Sequence, residues 1–244
     1  MYNLKGGVGK TTSTHSIASA LSELNKKVLV IDMDPQSSLT FLLTDAEIED
    51  TTKDVLLDDK TLDECILVGE KFDYIGSTLE LTFAELELNA DYSKEYSLKR
   101  AIEVSSIEDN YDYVLIDCPP SMGVFTLNAL TASDSIIIPC QCELLSLKGL
   151  SILFEALKIP TKKLNKNLKV KGILPTLLDN RKSVSKGIHE MIIENYGDYK
   201  IFSPIRINSK LSDLGIEKKS IFEIDRKSNG AKDYMEVAKE LING

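Results

Sequence analysis

No run of 18 or more apolar residues occurs in the 244-residue chain, so nothing in it reads as a membrane span. The N-terminus lacks the charged and apolar blocks of a signal peptide. Cysteine is scarce. Cys65, Cys118, Cys140 and Cys142 form no disulfide framework, which suits a reducing cytoplasm. Cys140 and Cys142 follow an apolar run without two further metal ligands nearby, so they read as structural. The two histidines, His15 and His189, fall in predicted helices with no obvious partners. No internal repeat or low-complexity linker divides the chain, and a single domain over residues 1–244 is expected. With 43% hydrophobic and 27% charged residues, the composition suits one α/β domain with a full core.

The net charge of −9 argues against nucleic-acid binding until its distribution is read. Residues 1–157 carry 11 basic and 27 acidic side chains, a net of −16. Residues 158–219 carry 14 basic and 6 acidic side chains, a net of +8. Residues 220–244 are near neutral at −1. A basic segment inside an acidic protein can form a phosphate-binding face, or it can be a solvated lysine-rich surface. Charge alone leaves both readings open.

Apolar runs alternate with helical patterns to the end of the chain, which predicts a doubly wound, mostly parallel sheet with helices on both faces. Strands are expected at Val28–Ile31, Phe72–Gly76, Tyr113–Ile116, Ser135–Pro139, Val170–Pro175 and Ile201–Ile205. Helices are expected at Thr11–Leu24, Tyr92–Ser105, Phe125–Leu130, Leu147–Leu157, Ser183–Asn195 and Ala231–Ile242. Residues 44–71 are acidic and weakly periodic, as in a surface excursion with short helices.

The most informative stretch is Lys5-Gly6-Gly7-Val8-Gly9-Lys10-Thr11-Thr12. Its glycines let backbone N–H groups turn inward around phosphates. Lys10 is placed to reach the terminal phosphates, and the Thr11 hydroxyl to bind Mg²⁺. The bland alternative is a glycine-rich turn before a helix. Acidic strand ends downstream weigh against it: Asp32 and Asp34 follow one strand and Asp117 another. An aspartate at a strand terminus can hold Mg²⁺ or cap the next helix. Alongside a phosphate loop, the metal reading is favoured. A phosphate loop normally follows a buried strand, yet only Met1-Tyr2 precede Asn3 here. The first strand is therefore expected to be largely missing, either by truncation or by a start assigned too late, at a cost in stability.

Four segments together resemble the ParA family of DNA-partitioning ATPases, in its small form without an N-terminal DNA-reading domain. They are Asn3–Thr12, Val28–Ser37, Tyr111–Gly123 with Asn128-Ala129-Leu130, and Gly230–Tyr234. Gly172–Thr176 and Ile205–Ser212 also look like family segments. The two lysines of the loop match the deviant Walker A signature of the ParA/MinD class. The resemblance implies that Lys5 acts on the nucleotide of a partner subunit in an ATP-bound homodimer. It implies that Gly6, Gly7, Val8, Gly9, Lys10 and Thr12 surround the phosphates. Thr11, Asp32 and Asp117 then serve the metal, and Asp34 orients the attacking water. Lys5, Lys10 and Asp34 become the catalytic set, and Pro119-Pro120-Ser121 a switch that senses the γ-phosphate. Adenine contacts fall around Thr176 and Pro204.

Arg181 and Lys210 fall where related proteins carry DNA-contacting arginines, and both lie in the basic segment. Lysine at 210 keeps a point charge but loses the bidentate fork, which suits sequence-independent contact. The chain departs from the family in its missing strand, in Ile207 where an arginine is usual, and in its acidic total charge. The implied function is a cytoplasmic, nucleoid-associated switch driven by slow hydrolysis of ATP with Mg²⁺. It binds nonspecific DNA and answers to a ParB-like centromere-binding protein, to move a plasmid or chromosome locus. Three rivals remain: a MinD-like membrane-associated positioning ATPase, a metal-cluster reductase related to the nitrogenase iron protein, and a nucleotide-binding scaffold.

Overall fold

Short Val/Ile/Leu runs become parallel strands because both their faces are covered. A computed structural model describes residues 1–90 and 92–244. Its strands are β1 (Val28–Asp32), β2 (Asp73–Ile75), β3 (Tyr113–Asp117), β4 (Ser135–Gln141) and β5 (Lys169–Thr176). The helices are α1 (Lys10–Glu23), α2 (Ser38–Leu43), α3 (Thr52–Leu56), α4 (Leu81–Leu88), α5 (Ser97–Glu103), α6 (Ile107–Asn110), α7 (Val124–Ala132), α8 (Leu144–Ile159), α9 (Ser183–Tyr196), α10 (Leu214–Glu217), α11 (Ile221–Asp225) and α12 (Asn229–Ile242).

Alternation along β1 sorts the core into two layers. Val28 and Val30 pack with Ile17 and Leu21 of α1, Phe222 of α11, and Tyr234 and Val237 of α12. Leu29 and Ile31 face the other way, in the cluster that holds Leu81, Leu98, Leu150 and Leu153. Helices thus cover both faces, as the alternating pattern predicts. Tyr234, Val237, Ala238 and Leu241 of α12 are buried, and Tyr234 Oη lies 3.0 Å from Ser13 Oγ of α1. This face is packed inside the protein, so α12 itself does not offer it to a membrane. Among the described residues, no helix is long and apolar enough to cross a membrane.

The single sheet expected from sequence is divided. One sheet has the order β2-β1-β3 and the other pairs β4 with β5, all parallel. Met1 and Tyr2 lie in the seam. The Met1 ammonium donates to Ile116 O at 2.5 Å on β3, and Tyr2 N–H donates to Ile137 O at 3.2 Å on β4. Successive residues bonding to opposite sides is strand geometry, but two residues are too few to knit the edges together. Above them a cavity of about 480 Å³ remains, lined from both edges by Tyr113, Leu115, Ser135 and Ile137 among others.

Two further expectations need correction. Ile201–Ile205 runs beside β5 but is no continuous strand; only isolated bridges at Ile201 and Arg206 form. Ser203 N–H turns away to the Glu240 carboxylate, and Pro204 has no N–H to give. The helix expected over 92–105 is broken into a 3₁₀ turn at Lys94–Tyr96 followed by α5. Buried Asn128 takes the backbone there: its amide N–H₂ donates to Lys94 O at 2.6 Å, and its Oδ1 accepts Leu98 N–H at 3.0 Å.

Candidate functional site

The glycine-rich loop runs directly into α1. Gly7 (φ +72°) and Gly9 (φ +86°) adopt left-handed backbone, which a side chain would strain. A Cβ at Gly6 or Gly7 would meet nothing within 4 Å, so the loop presents bare backbone to open space. Gly9 is the N-cap of α1, and no side chain caps that end. The first-turn N–H groups are thereby left for an anion, which the helix dipole also favours. Val8 anchors the loop from behind: it is buried, and its carbonyl accepts the Thr176 hydroxyl at 2.8 Å.

Lys10 is almost fully buried, and its ammonium donates to Lys5 O at 3.1 Å. Burial lowers its pKa, while the nearby Asp117 and Asp34 carboxylates oppose the shift. Asp117, at the end of β3, is completely buried. Its Oδ2 accepts the Thr11 hydroxyl at 2.6 Å and its Oδ1 accepts Thr14 at 3.2 Å. Burial raises its pKa and the Thr11 bond pulls it back. The sequence pattern does not single out Thr14, although it sits one helical turn after Thr11 on the same face.

Asp32, at the end of β1, holds α2 in place. Its Oδ2 accepts both the N–H (2.9 Å) and the hydroxyl (2.8 Å) of Thr40, and its Oδ1 accepts Asp34 N–H at 3.1 Å. Burial, with Asp117 nearby, pushes its carboxyl up to about 7. Asp34 accepts Gln36 N–H at 2.9 Å and is half-buried.

A cleft of about 850 Å³ is lined by Gly6, Gly7, Gly9, Lys10, Thr11, Thr12, Asp34 and Pro120. The cleft continues over α2 to Phe41, Thr44 and Asp45, none of which the sequence pattern marks. Thr176 and Pro204 do not line it, nor do Lys5, Val8, Asp32 and Asp117. The Lys5 ammonium turns instead to the end of β4, where it pairs with Glu143 and donates to Gln141 Oε1 at 3.3 Å.

An uncapped helix start, two left-handed glycines and a buried lysine suit a polyphosphate. The Thr11 hydroxyl paired with the Asp117 carboxylate suits a hard cation. Among the described residues, no group of three or more His, Cys, Asp or Glu side chains is arranged to hold a metal ion, so a cation here would need oxygens from its ligand. The four cysteines are buried and free, and burial pushes their thiols up to about 11 or 12, far from thiolate chemistry.

The basic positions lie on two adjacent segments, Arg181 in a turn and Lys210 in a 3₁₀ turn at Ser209–Ser212. Ile207 N–H donates to Leu178 O, so the segments leading to Arg181 and Lys210 leave the edge of β5 side by side. Arg181 is exposed but clasped by Asp179, through Nε–Oδ1 at 2.9 Å and Nη2–Oδ2 at 3.0 Å. Lys210 pairs with Asp213 at 3.1 Å. Arg206, which sits beside Ile207, is pinned to Asp233.

Residues 1–170 match the family model described as an AAA domain. The chain is 40% identical over 243 residues to the sporulation initiation inhibitor protein Soj of Bacillus subtilis, covering 98% of this chain and 95% of that one. It is 37% identical over 247 residues to the chromosome partitioning protein ParA of Myxococcus xanthus, covering 98% and 86%. Among solved structures, cobyrinic acid a,c-diamide synthase of Mycobacterium smegmatis, with a bound ATP analog and magnesium, superposes with a TM-score of 0.86. Its identity is 33%, over 99% of this chain and 92% of that one. With its phosphate loop, its acidic strand ends and these full-length matches, the chain belongs to the ParA/Soj family of partitioning ATPases.

Proposed function

We propose that this chain is an ATP-driven dimerising switch that binds nonspecific DNA and serves plasmid or chromosome partitioning. The observation that carries the reading is the convergence on one cleft of a bare glycine loop at an uncapped helix start, buried Lys10, and Asp34, with the Thr11–Asp117 pair behind them. The ATP analog and magnesium bound by the Mycobacterium smegmatis structure support the same use of this cleft.

Backbone N–H groups of Gly6 to Thr12 cradle the β- and γ-phosphates, and Lys10 exchanges the Lys5 carbonyl for phosphate oxygens. Thr11 binds Mg²⁺, and Asp117 and Asp32 stand behind its water shell. Bound there, Mg²⁺ would supply neutralisation of the charge developing on the phosphates. Asp34 orients a water in line with the γ-phosphorus; its attack breaks the bond to the β-phosphate and yields ADP and phosphate. Adenine lies towards Thr176 and Pro204. Pro119-Pro120-Ser121 reports the γ-phosphate to the subunit contact, where Lys5 reaches across to the partner's nucleotide.

In the ATP state two subunits bring their Arg181 and Lys210 segments together, so weak phosphate contacts add by avidity. A ParB-like partner speeds the slow hydrolysis, the dimer opens, and DNA is released. The protein then acts in the cytoplasm on the nucleoid. Gel-shift binding to nonspecific duplex DNA with ATP, with ADP and without nucleotide tests this. Binding restricted to ATP and weakened by salt is expected. Binding indifferent to nucleotide would remove the switch.

A further inference from the structure

We infer that Glu143 is a positioning residue that holds Lys5 away from the nucleotide cleft until two subunits meet. The inference rests on the dimerising reading above and adds a residue to it.

The backbone of Lys5 is fixed at the mouth of the loop: its N–H donates to Asn3 Oδ1 at 3.0 Å and its carbonyl accepts the Lys10 ammonium. Its side chain nevertheless does not line the cleft. It crosses to the segment after β4, a neighbour 138 positions away in sequence, and pairs there with Glu143, with Gln141 as a second acceptor. A lysine used on a nucleotide across the subunit contact must first leave this carboxylate.

Glu143 is the N-cap residue of α8, yet its side chain makes no capping bond to that helix. The carboxylate is instead committed to Lys5. When Lys5 leaves, Glu143 remains beside the start of α8, where negative charge is favoured. The two side chains are 35% and 41% exposed, so water reaches the pair and it can open readily. A pair this exposed is a modest hold, worth about 0.2–1 kcal/mol. A symmetric dimer opens two of them, so their opening is felt twice.

The test is the ATP-state dimer dissociation constant, measured by light scattering over a concentration series, for wild type and Glu143→Gln at low salt and in about 0.5 M KCl. Glu143→Gln is expected to dimerise about 2- to 30-fold more tightly at low salt, the fold-change from two pairs that no longer have to open. The gap should shrink in high salt, where the wild-type pair is already screened; a merely structural role would not give that dependence. Matching thermal unfolding of the two proteins establishes that both are folded. Equal or weaker dimerisation by Glu143→Gln, or a gap undiminished by salt, overturns the inference while the switch reading stands. A wild-type chain that stays monomeric with ATP overturns both.

Discussion

On the proposed reading, two sets of cations in this molecule meet phosphate, and their settings differ. Lys10 is 7% exposed, is bonded to a neutral carbonyl, and sits against a backbone already curved for its ligand. The Arg181 side chain is 83% exposed and paired with an aspartate on its own loop, and Lys210 resembles it. In the first region affinity comes from preorganisation, where one group carries several kcal/mol. In the second, the proposed affinity would come from adding weak, screened charges, whose number a dimer would double. On that reading the loop sets when the protein acts, and the basic face sets only how strongly it holds.

Substitutions should therefore divide by region. The largest effect is expected for Asp34→Ala, which should cut hydrolysis by about 10²-fold or more, within the range for loss of a group that positions the attacking water, while ATP binding survives. Phosphate release in single-turnover assays checks this, and unchanged turnover removes Asp34 from its role. Lys10→Ala should weaken ATP binding about 10- to 150-fold, the loss of charge-assisted hydrogen bonds to phosphate; calorimetric titration reads it. Lys210→Glu should weaken DNA binding only several-fold and lower the salt slope by about 0.9 for each phosphate that is no longer neutralised, leaving the ATP-state dimer intact. A slope identical to wild type would move the DNA-binding face elsewhere.

The smallest effect concerns stability rather than phosphate. His15 of α1 is buried edge-on against Phe72, and burial lowers its pKa to about 4. Below about 6.5 the unfolded chain binds this proton and the folded one does not. The stability it contributes is therefore complete above 6.5 and is lost as pH falls towards 4. Asp32 acts in the opposite sense, since its raised value favours the folded state at low pH. His15→Gln should flatten the decline in melting temperature from pH 6.5 to 4 relative to wild type, and an unaltered profile would place the acid sensitivity elsewhere.

The parts of the site that can be read in the sequence are those whose partners are close in the chain or whose geometry is local. Glycines followed by Lys10 and Thr11 define the loop, and an aspartate closing an apolar run defines Asp32 and Asp117. What cannot be read depends on partners far away. Thr40 answers Asp32 only because α2 folds back over β1. Asn128 breaks a helix that periodicity draws as continuous, 34 residues from the carbonyl it takes. Glu240 withdraws Ser203 from β5 in the same manner. The hold on Lys5 by Glu143 spans 138 positions. The bonding of Met1 to β3 and Tyr2 to β4, in the seam of the divided sheet, emerges only in the folded chain.

The central claim is that nucleotide at the buried loop sets the number of exposed phosphate contacts. The most direct measurement is nonspecific duplex affinity as a function of salt, for the wild-type chain with ATP and with ADP. The account predicts tight binding with ATP and a log–log salt slope about twice that with ADP, as two basic faces act together. Equal affinity and equal slope in the two states would contradict it.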